Sequence, residues 1–351
     1  MNEPQDDRLG EPAPARDAEE SESGLHVNSE TAGEIRDAGS GEPGSVLAET
    51  PHFVSAISEI PATEPAMFQS FAEAPPRPVS RIPNFGHLGL LFLLGLVGLV
   101  CTFGVLFVVS RLHLLGFNLT ASNAQSSAMD ARVIVLSEGT LYLATFALSL
   151  IVFPLFWNES FFAGVQWRAS LAVERFWWLA GTALGCFVLA MIDGALMPGP
   201  SNAPIEKVFK TAGSAWMMFA FGITMAPFFE EMLFRGFLLP SLCTAWDWTA
   251  EKLIRRPRLP LDGNGHPQWS MAAMVFGAIL TSLPFAGIHA EQQGNSLGPF
   301  LLLIVVSLIL CAARLKTRSL AASTIVHACY NFCIFSATFV QTSGFRHMDK
   351  M

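Results

Sequence analysis

The sequence predicts an all-α fold: a polytopic transmembrane helical bundle of seven or eight spans behind a disordered acidic N-terminal tail. Three observations predict it. Of 351 residues, 51% are hydrophobic and 14% charged, where a soluble domain carries about 25% charged residues. Several apolar runs reach the ~20 residues that a bilayer-crossing helix needs. The charge is also divided: residues 1–83 hold 16 Asp/Glu and five Arg, a net −11, and the remainder carries +3.

The tail, residues 1–80, is rich in Glu, Pro, Ala, Gly and Ser, as in "GEPAPARDAEESESG". Such a composition buries too little apolar surface to offset ordering entropy, so disorder is expected. The first thirty residues lack both a basic n-region and an apolar h-region, so no signal peptide is expected. The net charge of −8 belongs to this tail, and no nucleic-acid partner is indicated.

The spans follow in order. The first is about Phe85–Val109, the second about Val133–Trp157, the third about Phe176–Leu196 before the breaker "MPGP". Together they form an N-terminal group of transmembrane helices over residues 85–200. The fourth apolar stretch runs from about Gly213 to Trp248, and Pro227 is the expected point of division. A polar loop to Trp269 follows, then spans of about Ser270–Ala290, Leu297–Ala313 and Leu320–Val340. Lys252, Arg255, Arg256 and Arg258 in that loop, and the short segment Arg314–Arg318, are expected on the cytoplasmic side. The six cysteines lie in apolar segments with no C-x-x-C pair, and read as small hydrophobes.

Ionisable side chains inside spans cost ~2.5–3.5 kcal/mol each on insertion scales and usually carry function. Three groups occur. In "FFEEMLFRGF", Glu231 and Arg235 are four residues apart and share a helix face, while Glu230 is rotated away and free. A structural ion pair with a spectator glutamate explains this group equally well. "FAGIH" ends the fifth span at His289, and "HACYN" places His327 and Asn331 on one face of the seventh. Glu230 and His289 stand at nearly the same distance from the loop between their helices, so an antiparallel pair puts them at one level; His327 needs a tilt to join them. Glu138 and Asp193 are further intramembrane acids with no assigned partner.

A carboxylate beside histidine can activate water, and a second histidine with an amide can stabilise an oxyanion. One Glu and two His are equally a usual ligand set for catalytic zinc, here Glu230, His289 and His327. The cofactor is accordingly none or zinc. A proton-coupled transporter and a non-catalytic membrane scaffold or immunity-type protein are the competing classes.

The three motifs "EEMLFR", "FAGIH" and "HACYN", in this order, resemble the CPBP (CAAX protease/bacteriocin-processing, Abi) family of intramembrane proteases, over about residues 205–341. The resemblance implies a peptide hydrolase in a membrane, acting on a membrane-associated or prenyl-CAAX-like protein substrate. It implies Glu230 as the water-activating base, helped by His289; His327 and Asn331 as residues that position or stabilise the oxyanion; and Glu231 and Arg235 in support. The family is described both as metalloproteases and as metal-free glutamate enzymes. The lipid bilayer and a peptide are the expected partners, and the bacterial inner membrane the expected location.

Deletion of residues 1–80 is predicted to leave core activity intact, since no candidate residue lies there. Peptide hydrolysis by the truncated, membrane-inserted protein checks this; an inserted but inactive truncation contradicts it.

Overall fold

A computed structural model describes residues 81–114, 130–197, 199–200, 203–209, 211–262 and 266–347. The chain divides between Gln69 and Ser70, and every described residue belongs to the second unit. The tail expected to be disordered lies outside the described residues.

The described residues are almost entirely helical: α1 (Phe85–Arg111), α2 (Ala131–Trp157), α3 (Phe176–Leu196), α4 (Ala212–Ile223), α5 (Met225–Glu231), α6 (Leu239–Leu253), α7 (Met271–Ala290), α8 (Leu297–Thr317) and α9 (Leu320–Gln341). A π-helical segment, Met232–Leu238, joins α5 to α6. Among the described residues, seven helices are long and apolar enough to cross a bilayer, counting Ala212–Leu253 as one; this suggests a multi-pass membrane protein. A bilayer core offers backbone groups no water, so spans must bond internally.

Local sequence sets the helix ends. Asn84 caps α1, its Oδ1 accepting the N–H of Gly86 at 3.0 Å and of His87 at 3.3 Å. Thr211 and Ser214 form a capping box at the start of α4. The fourth stretch divides at Thr224 (φ −120°, ψ −77°) rather than at Pro227. Proline still accounts for the break. Pro227 has no N–H to offer the carbonyl of Ile223, so the ladder fails one turn before it, and Pro227 then sits in the first turn of α5, where it is tolerated.

α1 pairs with α2, α3 packs against α8 and α9, α7 lies between α6 and α8, and α9 reaches α4 and α5. The main core joins Leu179, Ala183 and Cys186 of α3 to Val306 and Leu310 of α8, Val326 and Tyr330 of α9, and Phe285 of α7. A second cluster packs Leu88, Leu91 and Leu94 of α1 against Phe153, Trp157, Phe161 and Phe237. Apolar side chains also point outward, such as Val100 at 71% and Leu155 at 76% exposure, as lipid-facing positions do. All six cysteines are free.

Two helices run past their expected ends, and the rest of the polar segment to Trp269 is non-helical among the described residues. α6 continues to Leu253, and α8 continues to Thr317 with Arg314 only 1% exposed. Arg314 is therefore an interior residue and not part of a cytoplasmic turn, because its guanidinium finds acceptors inside the bundle.

The antiparallel turn between α6 and α7 is fixed by one carboxylate. Buried Asp247 accepts from the Ser270 N–H at 2.9 Å and from its Oγ–H at 2.6 Å. Ser270 Oγ in turn accepts the N–H of Ala273 at 3.1 Å, capping α7. Asp247→Ala strands these donors and is expected to destabilise the protein by about 1–3 kcal/mol. Thermal unfolding in detergent measures this, and an unchanged midpoint contradicts it.

Candidate active site

The site forms where α5 becomes the π-segment, and Pro240 accounts for that segment. A proline ring clashes with the carbonyl four residues back, here Gly236, and removes one ladder bond. The helix widens instead, so that Leu239 N–H donates to the Phe234 carbonyl five residues away. Such π-turns are rare and gather at functional sites.

Glu231 and Arg235 form a wholly buried ion pair, with 0% of either side chain exposed and Arg235 Nη1 donating to Glu231 Oε1 at 2.9 Å. Arg235 Nη2 donates to Ser307 Oγ at 2.6 Å and to the Ser307 carbonyl at 3.1 Å. The Phe285 ring lies 4.5 Å from the guanidinium carbon, within cation–π range.

Glu231 Oε1 also lies 3.1 Å from His327 Nδ1. That oxygen already receives a guanidinium proton, so the hydrogen belongs to His327 Nδ1. The His289 Nδ1 lies 2.8 Å from the Phe285 carbonyl. A carbonyl only accepts, so here too Nδ1 carries the hydrogen. Both rings thus turn Nε2 inward. Each Nε2 stands 3.8 Å from Glu230 Oε2. The three side chains retain slight exposure: 15% for Glu230, 19% for His289 and 6% for His327.

A polar gap of 3.8 Å is too wide for a direct hydrogen bond and suits a bridging water. The donor types are those of a catalytic zinc, and both histidines have the outer hydrogen bond that zinc ligands use. The spacing is looser than a metal cage: bonds of ~2.0–2.2 Å at tetrahedral angles bring ligand atoms to about 3.4 Å. Among the described residues, no group of three or more His, Cys, Asp and Glu is set closely enough to hold a metal.

Asn331 is turned partly to another task. Its Nδ2 donates to the Gly222 carbonyl at 2.8 Å, where α4 ends. One amide hydrogen is used there, and the amide has a second. The helices meet closely at this point: a Cβ on Gly222 would fall 2.7 Å from the Phe335 ring.

Glu138 lies within electrostatic range of Glu230. One turn along α2, Tyr142 stacks on Phe229 at 4.8 Å. Asp193 stands apart at the start of α8, where a Cβ on Gly298 would lie 3.2 Å from its Oδ1. A cleft of about 180 Å³ is lined by Leu91, Gly95, Tyr142, Phe229 and Leu233 among others, of which Phe229 is the sequence neighbour of Glu230. Neither this cleft nor a larger one of about 640 Å³ beside Arg81, Trp248 and Glu251 is lined by Glu230, His289 or His327.

Ser307, Gln166 and Arg314 escaped sequence reasoning. Serine is common in apolar helices and gives no signal alone. Arg314 sits near a span end, where an arginine ordinarily marks the membrane interface.

Comparison with protein families matches residues 212–333 to the type II CAAX prenyl endopeptidase Rce1-like family. Comparison with curated proteins and with solved structures returns no match. The matched stretch runs from the start of α4 into α9 and contains Glu230, Glu231, Arg235, His289, His327 and Asn331. Residues 212–333 are a domain of the Rce1-like type II CAAX prenyl endopeptidase family.

Proposed function

We propose that the protein is an intramembrane endopeptidase that hydrolyses a peptide bond of a membrane-associated, prenyl-CAAX-like protein with water activated by Glu230 and His289. One observation carries the reading: Glu230 Oε2 lies 3.8 Å from Nε2 of both histidines, whose other ring nitrogens are held by Phe285 and Glu231. A water in that gap donates one hydrogen to Glu230 and the other to His289 Nε2, which leaves an oxygen lone pair for the scissile carbonyl.

As the water attacks, Glu230 takes its proton and the carbonyl oxygen becomes an oxyanion. His327 faces that side through Nε2. When the ring is doubly protonated, Nε2–H is a donor to the oxyanion, while Glu231 balances the charge at Nδ1. The second amide hydrogen of Asn331 is the other donor, its first being fixed on Gly222. Collapse of the intermediate breaks the C–N bond, and Glu230 returns the proton to the leaving amine. An apolar cleft lined by residues of α1, α2 and Phe229, the neighbour of Glu230, suits an apolar substrate segment.

Glu230→Gln, His289→Ala and His327→Ala are each expected to lower kcat by at least about 100-fold, at the low end of the contribution of a positioned acid–base group, with membrane insertion unchanged. Cleavage of a quenched farnesylated C-A-A-X peptide by purified protein measures this. Normal turnover by all three variants sinks the assignment. Metal analysis with chelator titration addresses the alternative set of roles. The reading expects activity to survive chelation. Near-stoichiometric zinc, with activity lost to chelator and restored by zinc, turns the same side chains into ligands.

A further inference from the structure

Pro240 leaves the helix that carries the site one backbone donor short. Leu239 N–H is taken by the Phe234 carbonyl. The next donor in that register belongs to residue 240, which is proline and has none. The carbonyl it would have met is that of Arg235, a residue with no exposure. A buried carbonyl must find another partner.

Arg314 is that partner. Its Nε donates to the Arg235 carbonyl at 3.3 Å, and its Nη2 donates to Gln166 Oε1 at 2.9 Å. Gln166 is buried and adopts a left-handed backbone (φ +57°), a conformation that costs a non-glycine residue energy and persists only where its surroundings impose it. Its own carbonyl accepts the N–H of Leu320 at 3.0 Å, the first residue of α9, the helix of His327. Ser307 and Arg314 are seven residues apart on α8, two turns and one face. Ser307 takes the guanidinium of Arg235 and Arg314 its main-chain carbonyl, so α8 grips that residue at both ends.

We infer that Arg314, braced by Gln166, is a positioning residue of the active site. By bonding the carbonyl that Pro240 leaves open, it holds the π-turn in the register that presents Glu231 and Arg235 to His327. Arg314 touches no reacting atom. Its role in catalysis rests on the proposed function; its effect on His327 does not.

The experiment has two readouts on full-length protein in lipid nanodiscs. The first is the ¹⁵N signal of His327 Nδ1 in histidine-labelled protein, assigned by its loss in His327→Gln. Arg314→Gln is expected to move this signal, and to do so much less in a Pro240→Ala background, where residue 240 regains an N–H. The second is cleavage of the quenched farnesylated peptide: kcat falls about tenfold, the low end of what outer hydrogen-bond partners contribute, with KM unchanged. In the Pro240→Ala background, Arg314→Gln lowers kcat less than about twofold further, the non-additivity of two changes at one contact. If Arg314→Gln does not fold, Arg314→Lys, which keeps the charge and loses the fork, runs through the same cycle. A folded Arg314 variant with an unmoved His327 signal, or additive effects with Pro240→Ala, overturns the inference. A moved signal in a protein that cleaves nothing supports the positioning and sinks the protease reading alone.

Discussion

The buried pair of Glu231 and Arg235 is the interaction on which the site depends. Both side chains are fully sequestered, so neither charge can turn to water. One oxygen, Glu231 Oε1, receives Arg235 at 2.9 Å and faces His327 Nδ1 at 3.1 Å. The guanidinium spreads to Ser307 of α8 and lies against the Phe285 ring of α7. Helices α5, α7, α8 and α9 thus meet around one charge pair. Such a pair adds little net stability over a well-packed apolar alternative, but losing one partner is severe. The arrangement is better understood as fixing geometry than as strengthening the bundle.

Geometry is what the proposed hydrolysis requires. The Nε2 atoms of His289 and His327 are aimed by what holds their Nδ1 atoms, and the two anchors differ. His289 is tied to its own helix, at the carbonyl four residues back. His327 is tied across helices to Glu231. The first anchor depends only on α7. The second depends on the helix carrying Glu231 having the right register, and that register is altered by the π-turn over Met232–Leu238. Proline acts twice along this helix. Pro227 leads to the break at Thr224, where Asn331 collects the freed Gly222 carbonyl. Pro240 accounts for the π-turn.

Much of this was legible in the sequence, for definite reasons. Apolar runs of the length a bilayer demands mark helices whatever their tertiary partners, so the spans stand within a few residues of where they were expected. Charges inside such runs are costly enough to draw attention to Glu230, Glu231, Arg235 and His289. The spacing of four residues between Glu231 and Arg235 gave their pairing directly. What sequence could not supply was contact at long range and departure from ideal helix. Nothing in periodicity distinguishes an α-turn from a π-turn at Gly236. Arg314 at a span end reads as an interfacial cation until its acceptors, Gln166 and the Arg235 carbonyl, are seen. The spacing that puts Asn331 on the face of His327 does not reveal that one of its amide hydrogens ties α9 to the end of α4.

The most direct measurement is the unfolding free energy, in one lipid–detergent system, of Arg235→Met beside the volume-matched double variant Glu231→Leu/Arg235→Met. If the pair fixes geometry, the single variant leaves a buried carboxylate unpaired and loses about 3–5 kcal/mol. The double variant recovers most of that stability, yet cleaves no peptide, because His327 has lost the group that aims it. A double variant as unstable as the single one, or one that is stable and fully active, would contradict the account.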